Sequence, residues 1–281
     1  MEAATSISAS TAMEQTPLLG DITAKPPRQK FVLRPAHISD FPIMAVHSKE
    51  AYWLSPVARY LFPGAEAHPE DVVRLMIQGI EKRFVAADSL SLVACVPAQE
   101  GRSEKVVGWG QFSRKGSDIG ARNFVKSKGW TVRIELWLLS WWFWTYSLVT
   151  NAIWPDRITD RQATKSFDEW GRVDDEKYWT SHPERHDRWH AQAVIVSPEF
   201  QGKGIGRLLM GHVIEKAEQE MVPIGLTASP HGEKLYEKLG FQKLGDFSQR
   251  VADHEGGGIM IWYPDGFQGK RHDAREATEM A

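Results

Sequence analysis

The chain has 281 residues, a formal net charge of −2, 42% hydrophobic residues and 25% charged residues. These values are typical of a globular protein with one large domain, and the near-neutral charge gives no reason to expect nucleic acid as the main partner. The single cysteine, Cys95, excludes an intrachain disulfide and a cysteine-based zinc cluster, and its apolar neighbours predict a core position. We expect no metal site.

The two ends of the chain differ in composition from its middle. Residues 1–28 are rich in Ala, Ser and Thr and lack the apolar core of a secretory signal, so we expect a disordered tail. A single domain is predicted over 29–265, followed by a polar tail over 266–281. Five elements are predicted at the start of the domain: a strand over 30–35, a helix over 40–54 with Asp40 as N-cap, a helix over 70–84, and two strands, 90–96 and 106–114, that form a hairpin.

Residues 115–188 are unusually rich in Trp and in charge, and their spacing is helical. Within them, 136–155 carries no charged residue and holds five tryptophans. Its length permits a transmembrane helix. However, the segment lies between two parts of one predicted sheet, and Trp favours the membrane interface over the bilayer centre. We expect a buried or lid helix, and keep membrane-surface contact and a true span as alternatives.

The most informative motif lies at residues 190–211, HAQAVIVSPEFQGKGIGRLLMG. A β-branched run ending at Val196 predicts a buried strand, and Ser197-Pro198 ends it. A glycine-rich turn then leads into a helix, which makes an anion site from backbone N–H groups and the helix dipole. A Rossmann fingerprint would need glycine at Arg207, and a Walker loop would need Gly-Lys-Ser/Thr, so both fit less well.

The C-terminal part predicts further elements of a mixed sheet. They are a helix from the turn to about 221, a strand over 224–228, a turn over 229–232, a helix over 233–239 ended by Gly240, a strand near 247–251 and a last strand over 258–263.

Two of these motifs together resemble a known family. Gln201, Gly204 and Gly206 fit the Gln/Arg-x-x-Gly-x-Gly/Ala motif of the GCN5-related N-acetyltransferase (GNAT) superfamily, and the block LYEKLGF at 235–241 strengthens the resemblance. The resemblance covers about residues 30–114 and 189–263. It implies an α/β mixed sheet of the GNAT type, in which 115–188 is a helical insertion between the third and fourth strands, and acetyl-CoA as co-substrate.

The resemblance also implies roles for individual residues. The strand before the turn would splay from its neighbour and offer backbone groups to pantetheine at Val194, Ile195 and Val196. The turn amides would hold the pyrophosphate: Gln201, Gly202, Lys203, Gly204, Ile205, Gly206 and Arg207. Tyr236 is the candidate acid for the departing CoA thiolate, with simple packing as the alternative. His190 is the candidate base, with a histidine that only lines the site as the alternative.

The implied function is transfer of an acetyl group from acetyl-CoA to the amine of a small molecule, such as a specialised metabolite, a drug or an amino-acid-like compound. The large Trp-rich insertion favours a small enclosed substrate. Acetylation of a protein lysine or N-terminus, and a non-catalytic acyl-CoA-binding module, are the alternatives. We expect a cytoplasmic protein without a nucleic-acid partner. The motifs identify neither the acceptor amine nor the oligomeric state.

Overall fold

The computed structural model describes residues 30–53, 55–98, 101, 103–251 and 256–267. Nearly all of the two predicted tails, 1–28 and 266–281, therefore lies outside the described residues. Within the described part, the strands are β1 (Val32–Pro35), β2 (Ser89–Val96), β3 (Lys105–Lys115), β4 (Arg188–Val196), β5 (Ile224–Ala228), β6 (Gln242–Gly245) and β7 (Gly258–Trp262). They form one sheet in the order β1-β2-β3-β4-β5-β7-β6, in which only the β4–β5 pair is parallel.

Helices cover both faces of this sheet. They are α1 (Phe41–Tyr52), α2 (Pro56–Leu61), α3 (Pro69–Phe84), α4 (Ile119–Ser127), α5 (Gly129–Ile153), α6 (Arg161–Asp175), α7 (Ile205–Glu220) and α8 (Pro230–Lys238). Alternate strand residues point to opposite faces, which separates two cores. Trp189 and Leu209 lie in the core under α7 and α8, whereas Met44, Ile80 and Trp109 lie in the core under α1 and α3.

Most predicted elements are confirmed within two or three residues, including the β2–β3 hairpin and the buried Cys95. The strand predicted near 247–251 is wrong, because the edge strand is β6, which begins five residues and ends six residues earlier in the chain. Asp40 precedes α1 as predicted, but its side chain does not cap that helix. It instead accepts from the His37 N–H at 2.8 Å and from the Arg34 guanidinium at 2.8 and 3.0 Å.

The segment between β3 and β4 is helical, as predicted, and consists mainly of α4, α5 and α6. The sequence predicts a buried or lid helix over 136–155, and the buried form of this prediction is wrong, because Trp137 and Trp142 of α5 are 60% and 63% exposed. Among the described helices, none combines the length and apolar character needed to cross a bilayer.

One side of α5 is held against α3. The ring of Phe143 packs beside Phe41, with 6.2 Å between the ring centroids. Near the end of α5, Arg74 of α3 donates to the Trp154 carbonyl at 2.6 Å, and Gln78 donates to Asn151 at 3.3 Å. These contacts anchor a helix whose remaining sides face outward.

The strand β4 carries a bulge at Gln192, opposite the step from Gln111 to Phe112 in β3. Because one extra residue shifts the alternation, Ala191 and Val194 point to the same face of the sheet. A bulge also bends its strand and increases the local twist. The pairing of β4 with β5 ends at Ala191, directly before this bulge.

Candidate active site

The ladder between β4 and β5 is short. It contains three pairs, the last of which is Ala191 with Leu226, although β4 continues to pair with β3 as far as Val196. Beside Gln192–Val196, one edge of β4 therefore has no strand partner among the described residues; we name this space the β4–β5 gap. A splayed pair of parallel strands is the arrangement that the sequence resemblance implied.

Alternate residues of β4 direct their backbone N–H and C=O groups toward β3, and the residues between them direct theirs into the β4–β5 gap; we call this alternation the phase of the ladder. The Ser197 N–H donates to the Val107 carbonyl of β3 at 3.0 Å. Because paired residues of an antiparallel ladder bond at every second position, Ile195 also directs its backbone groups toward β3. Val194 and Val196 direct theirs into the gap, and their contact with pantetheine stays a prediction. The predicted cofactor contact of the Ile195 backbone is not supported, and its side chain is buried in the core under α1 and α3.

The glycine-rich turn follows the gap directly. Gly202 and Gly204 have φ values of 74° and 87°, a left-handed conformation that glycine adopts without strain, and α7 begins at Ile205. No carbonyl or side chain of the described residues accepts from the N–H groups of residues 202–207. Six successive amides at a helix N-terminus thus make a site for an anion. The structure brings together the turn residues that the sequence predicted.

Side chains of the turn have distinct surroundings. Gln201 donates to the Val196 carbonyl at 3.2 Å and so bridges the strand and the turn. The ammonium group of Lys203 lies 4.4 Å from the centroid of the Phe200 ring. Arg207 is exposed on the first turn of α7. Both cations are therefore near the free amides without being buried.

Tyr236 lies on α8, whose first turn is capped by the Ser229 hydroxyl, which accepts from the Gly232 N–H at 3.2 Å. Its side chain is almost buried and packs against the Phe241 ring. Burial, and to a smaller extent the Tyr52 hydroxyl, raises the pKa of Tyr236 well above that of a free phenol. The phenol is therefore protonated at neutral pH, which a proton donor requires.

His190 lies on β4 at the paired end of the ladder, opposite Gly225. Its ring meets the Trp179 ring edge-on at 5.7 Å, and its Nδ1 is enclosed without a hydrogen-bond partner among the described residues. Burial, reinforced by the charges of Arg188 and Lys115, lowers the pKa of His190 to about 3. A proton on this imidazole is unfavourable, which opposes the predicted role of His190 as general base.

The sequence analysis missed a polar cluster on the sheet. The Arg83 Nε donates to the Gln111 side chain at 2.6 Å, and Gln111 in turn donates to the Ile80 carbonyl and the Ser91 hydroxyl. Burial lowers the pKa of the Arg83 guanidinium, and no carboxylate of the described residues pairs with it. No motif marks these residues, because they come from separate helices and strands.

Tyr52, at the end of α1, connects this cluster to Tyr236. Burial raises the pKa of Tyr52, and the nearby charge of Arg83 opposes that rise. Tyr52 also influences the pKa of Tyr236. Arg83 thus acts electrostatically on Tyr52, and Tyr52 acts on Tyr236.

Trp179, whose ring meets His190, is also a residue that the sequence analysis did not single out. Trp179 is 3% exposed and belongs to a π-helical turn, Glu176–Thr180, at the end of the insertion. A Cβ atom on Gly225 would lie 2.5 Å from its ring, and the Arg188 guanidinium lies 4.6 Å from the ring centroid. The insertion thus packs directly on the paired part of β4 and β5.

Comparison with known proteins agrees with this geometry. Residues 171–243 match the family model described as acetyltransferase (GNAT) domain. An uncharacterised N-acetyltransferase ycf52 of Gracilaria tenuistipitata var. liui is 35% identical over 72 residues, which are 25% of this chain and 35% of that protein. The ycf52 protein of Porphyra purpurea is 38% identical over 72 residues, 25% of this chain and 36% of its own length. The matched segment thus spans about a third of these curated relatives.

A solved structure shows that the fold extends beyond this segment. The crystal structure described as histone acetyltransferase HPA2 and related acetyltransferase from Corynebacterium glutamicum superposes with a TM-score of 0.50 at 20% identity, over 83% of this chain and 96% of that one. Residues 171–243 are thus similar in sequence to the GNAT acetyltransferase domain, and the fold of the described residues is similar to that of this solved acetyltransferase.

Proposed function

We propose that this protein is an acetyl-CoA-dependent N-acetyltransferase that acts on a small amine. The observation that carries the proposal is the continuity of the β4–β5 gap with the turn at 202–207. Strand groups without a ladder partner lead directly to six amides for which the described part of the chain provides no acceptor. An extended ligand with amide groups at one end and a diphosphate at the other fits both features.

The strand and the turn would each bind a different part of CoA. The backbone of Val194 and the N–H of Val196, whose carbonyl accepts from Gln201, are available for the pantetheine amides. The amides of 202–207 are available for the pyrophosphate, and Lys203 and Arg207 add positive charge. Acetyl-CoA, when bound, supplies the acetyl group as a thioester. Backbone N–H groups facing the gap are also suitable donors to an oxygen on which negative charge develops.

Proton transfer is assigned from the surroundings of each group. Tyr236 is protonated at neutral pH and is the proposed acid for the departing thiolate. His190 remains neutral and holds a proton poorly. We therefore propose that the amine loses its proton to solvent, and that His190 lines the site.

The acceptor is proposed to be a small amine that carries an anionic group. Arg83 is a largely desolvated cation fixed by Gln111, without a carboxylate partner in the described chain. A buried cation is stabilised when an anion pairs with it. A carboxylate or phosphate on the amine substrate would supply that anion, which favours an amino-acid-like substrate over a protein lysine.

Substitution of Arg83 tests both the activity and the substrate class. CoA release is measured with amino acids and, for comparison, with their uncharged methyl esters. Loss of a charge-assisted hydrogen bond costs about 1.5–3 kcal/mol, so Arg83→Gln should raise KM for the acid about ten- to a hundredfold and leave the ester unchanged. Arg83→Lys should recover part of the loss. CoA binding without release for any amine would instead identify a non-catalytic module.

Gly204 is expected to be essential for cofactor affinity. Alanine is strained by about 1–2 kcal/mol at the left-handed φ of Gly204, so in Gly204→Ala the free turn should relax out of its binding conformation. The Kd for CoA, measured by calorimetry, should rise about tenfold. Gly211→Ala is the matched control, because Gly211 lies inside α7 with open space at its Cβ position. Equal affinity in both variants would refute the pyrophosphate site.

Tyr236→Phe should lower kcat about a hundredfold, because it removes the proposed proton donor and keeps the ring that packs on Phe241. The Kd for CoA should not change. Tyr60→Phe provides the control, since the Tyr60 ring stacks on Trp170 rather than on Phe241. An unchanged kcat in Tyr236→Phe would show that Tyr236 contributes to packing and not to proton transfer.

His190 should make stability depend on pH. Its folded-state pKa of about 3 lies below the unfolded value near 6.5, so the unfolded chain binds the proton first as the pH falls. The contribution of the neutral His190 side chain to the free energy of unfolding is therefore complete above about pH 6.5. At pH 5 the free energy of unfolding should be lower by about 2 kcal/mol. In urea unfolding, His190→Gln should lack this part of the decrease, whereas the exposed His231→Gln should retain it. A base role would instead require His190→Gln to abolish activity at every pH.

A further inference from the structure

An exposed apolar stripe runs along α5. Trp130, Trp137, Trp141, Trp144 and Leu148 recur at spacings of seven, four, three and four residues, which place them on one side of the helix. Ring centroids of Trp137 and Trp141 are 6.2 Å apart, and those of Trp141 and Trp144 are 5.6 Å apart, so the indoles adjoin. All five side chains are 53–73% exposed. We call these five residues the α5 outer face.

The opposite side of α5 already has partners. Phe143 packs with the core under α1 and α3, and Thr150 is buried. The helix therefore does not need its outer face to hold it on the domain. A contiguous apolar surface of this kind, without a charged residue from 136 to 155, is typical of an interaction site.

A cavity of about 440 Å³ lies at the N-terminal end of α5, between α4 and the end of β3. Two of its cations are compensated inside the protein. Arg114 donates to Asp118 at 2.7 Å and to Glu220 at 2.6 Å, and Lys115 donates to Asp88 at 2.7 Å. We call this space the basic cavity.

Three further cations line the basic cavity: Arg122, Lys126 and Arg133. None of them forms an ion pair with a carboxylate of the described chain. Arg133 lies three residues after Trp130 and four before Trp137, which places it on the same side of the helix as the α5 outer face. Uncompensated positive charge and exposed indoles therefore adjoin on one surface.

We propose that this surface docks on an anionic lipid membrane, with α5 lying along the interface. Trp side chains favour the level of lipid headgroups, and helices with such a face lie in the plane of the membrane. The basic cavity would receive the phosphate of a headgroup, while the indoles of the α5 outer face enter the boundary with the acyl chains. Basic residues beside such a helix are attracted to anionic lipids.

Charge complementarity selects lipid over a second copy of the chain. An identical helix would cover the indoles. However, α5 contains one acidic residue, Glu135, which cannot neutralise the three cations Arg122, Lys126 and Arg133. Anionic lipid supplies both the apolar boundary and the missing negative charge.

Co-sedimentation of the full chain with vesicles tests this proposal. Phosphatidylcholine vesicles are compared with vesicles of equimolar phosphatidylcholine and phosphatidylserine, and salt is then raised. Wild type should bind the anionic vesicles more tightly, and salt should weaken the binding. Trp141→Ser/Trp144→Ser should reduce binding to both vesicles. Lys126→Glu/Arg133→Glu should lower the partition coefficient for anionic vesicles about tenfold or more.

The control is Lys165→Glu/Lys238→Glu, which changes the net charge equally at exposed positions of α6 and α8. It should bind anionic vesicles as wild type does, and circular dichroism should show all variants folded. Equal weakening by both charge variants would overturn the proposal, as would absence of vesicle binding. Dimerisation in lipid-free buffer that Trp141→Ser/Trp144→Ser abolishes, without vesicle binding, would identify a second copy as the occupant.

Discussion

The incomplete pairing of β4 with β5 is the constraint on which the rest of the site depends. Three pairs join these strands, and the ladder stops where the bulge at Gln192 bends β4. Backbone polar groups are rarely left without partners in a protein interior, so unpaired groups in the middle of a sheet require a ligand or solvent. The turn at 202–207 extends this unpaired run to the N-terminus of α7, which makes the sheet edge and the helix end one continuous surface.

The parts of this site that sequence reasoning predicted are those that local chemistry determines. Pro198 ends a strand, and glycines at 202 and 204 permit a left-handed φ. The residue pattern after Ile205 is helical by its own spacing, without reference to distant parts of the chain. The edge strand β6 carries no such signal. Its four residues include Gln242, Lys243 and Gly245, and its position follows from its register with β7 rather than from its own apolar pattern.

Other features depend on topology and were not accessible from local patterns. The phase of the β3–β4 ladder decides that Ile195 faces β3 while its neighbours face the gap, and a sequence does not reveal that phase. Arg83 and Gln111 meet because α3 packs against the sheet, although 28 positions separate them along the chain. Desolvation of His190 likewise results from packing, which converts a residue type suited to proton transfer into one that holds a proton poorly.

The insertion between β3 and β4 is part of the domain core as well as its surface. Trp179 packs against the position of Gly225, where any side chain would meet the indole ring. Gly225 lies opposite His190 in the short β4–β5 ladder, so the same indole contacts both strands at the point where they begin to separate. Because the insertion also presents the α5 outer face to the surroundings, one continuous segment joins the splayed strands to the exposed tryptophans. A change in the packing of Trp179 would therefore act on the ladder that sets the gap, not only on a peripheral helix.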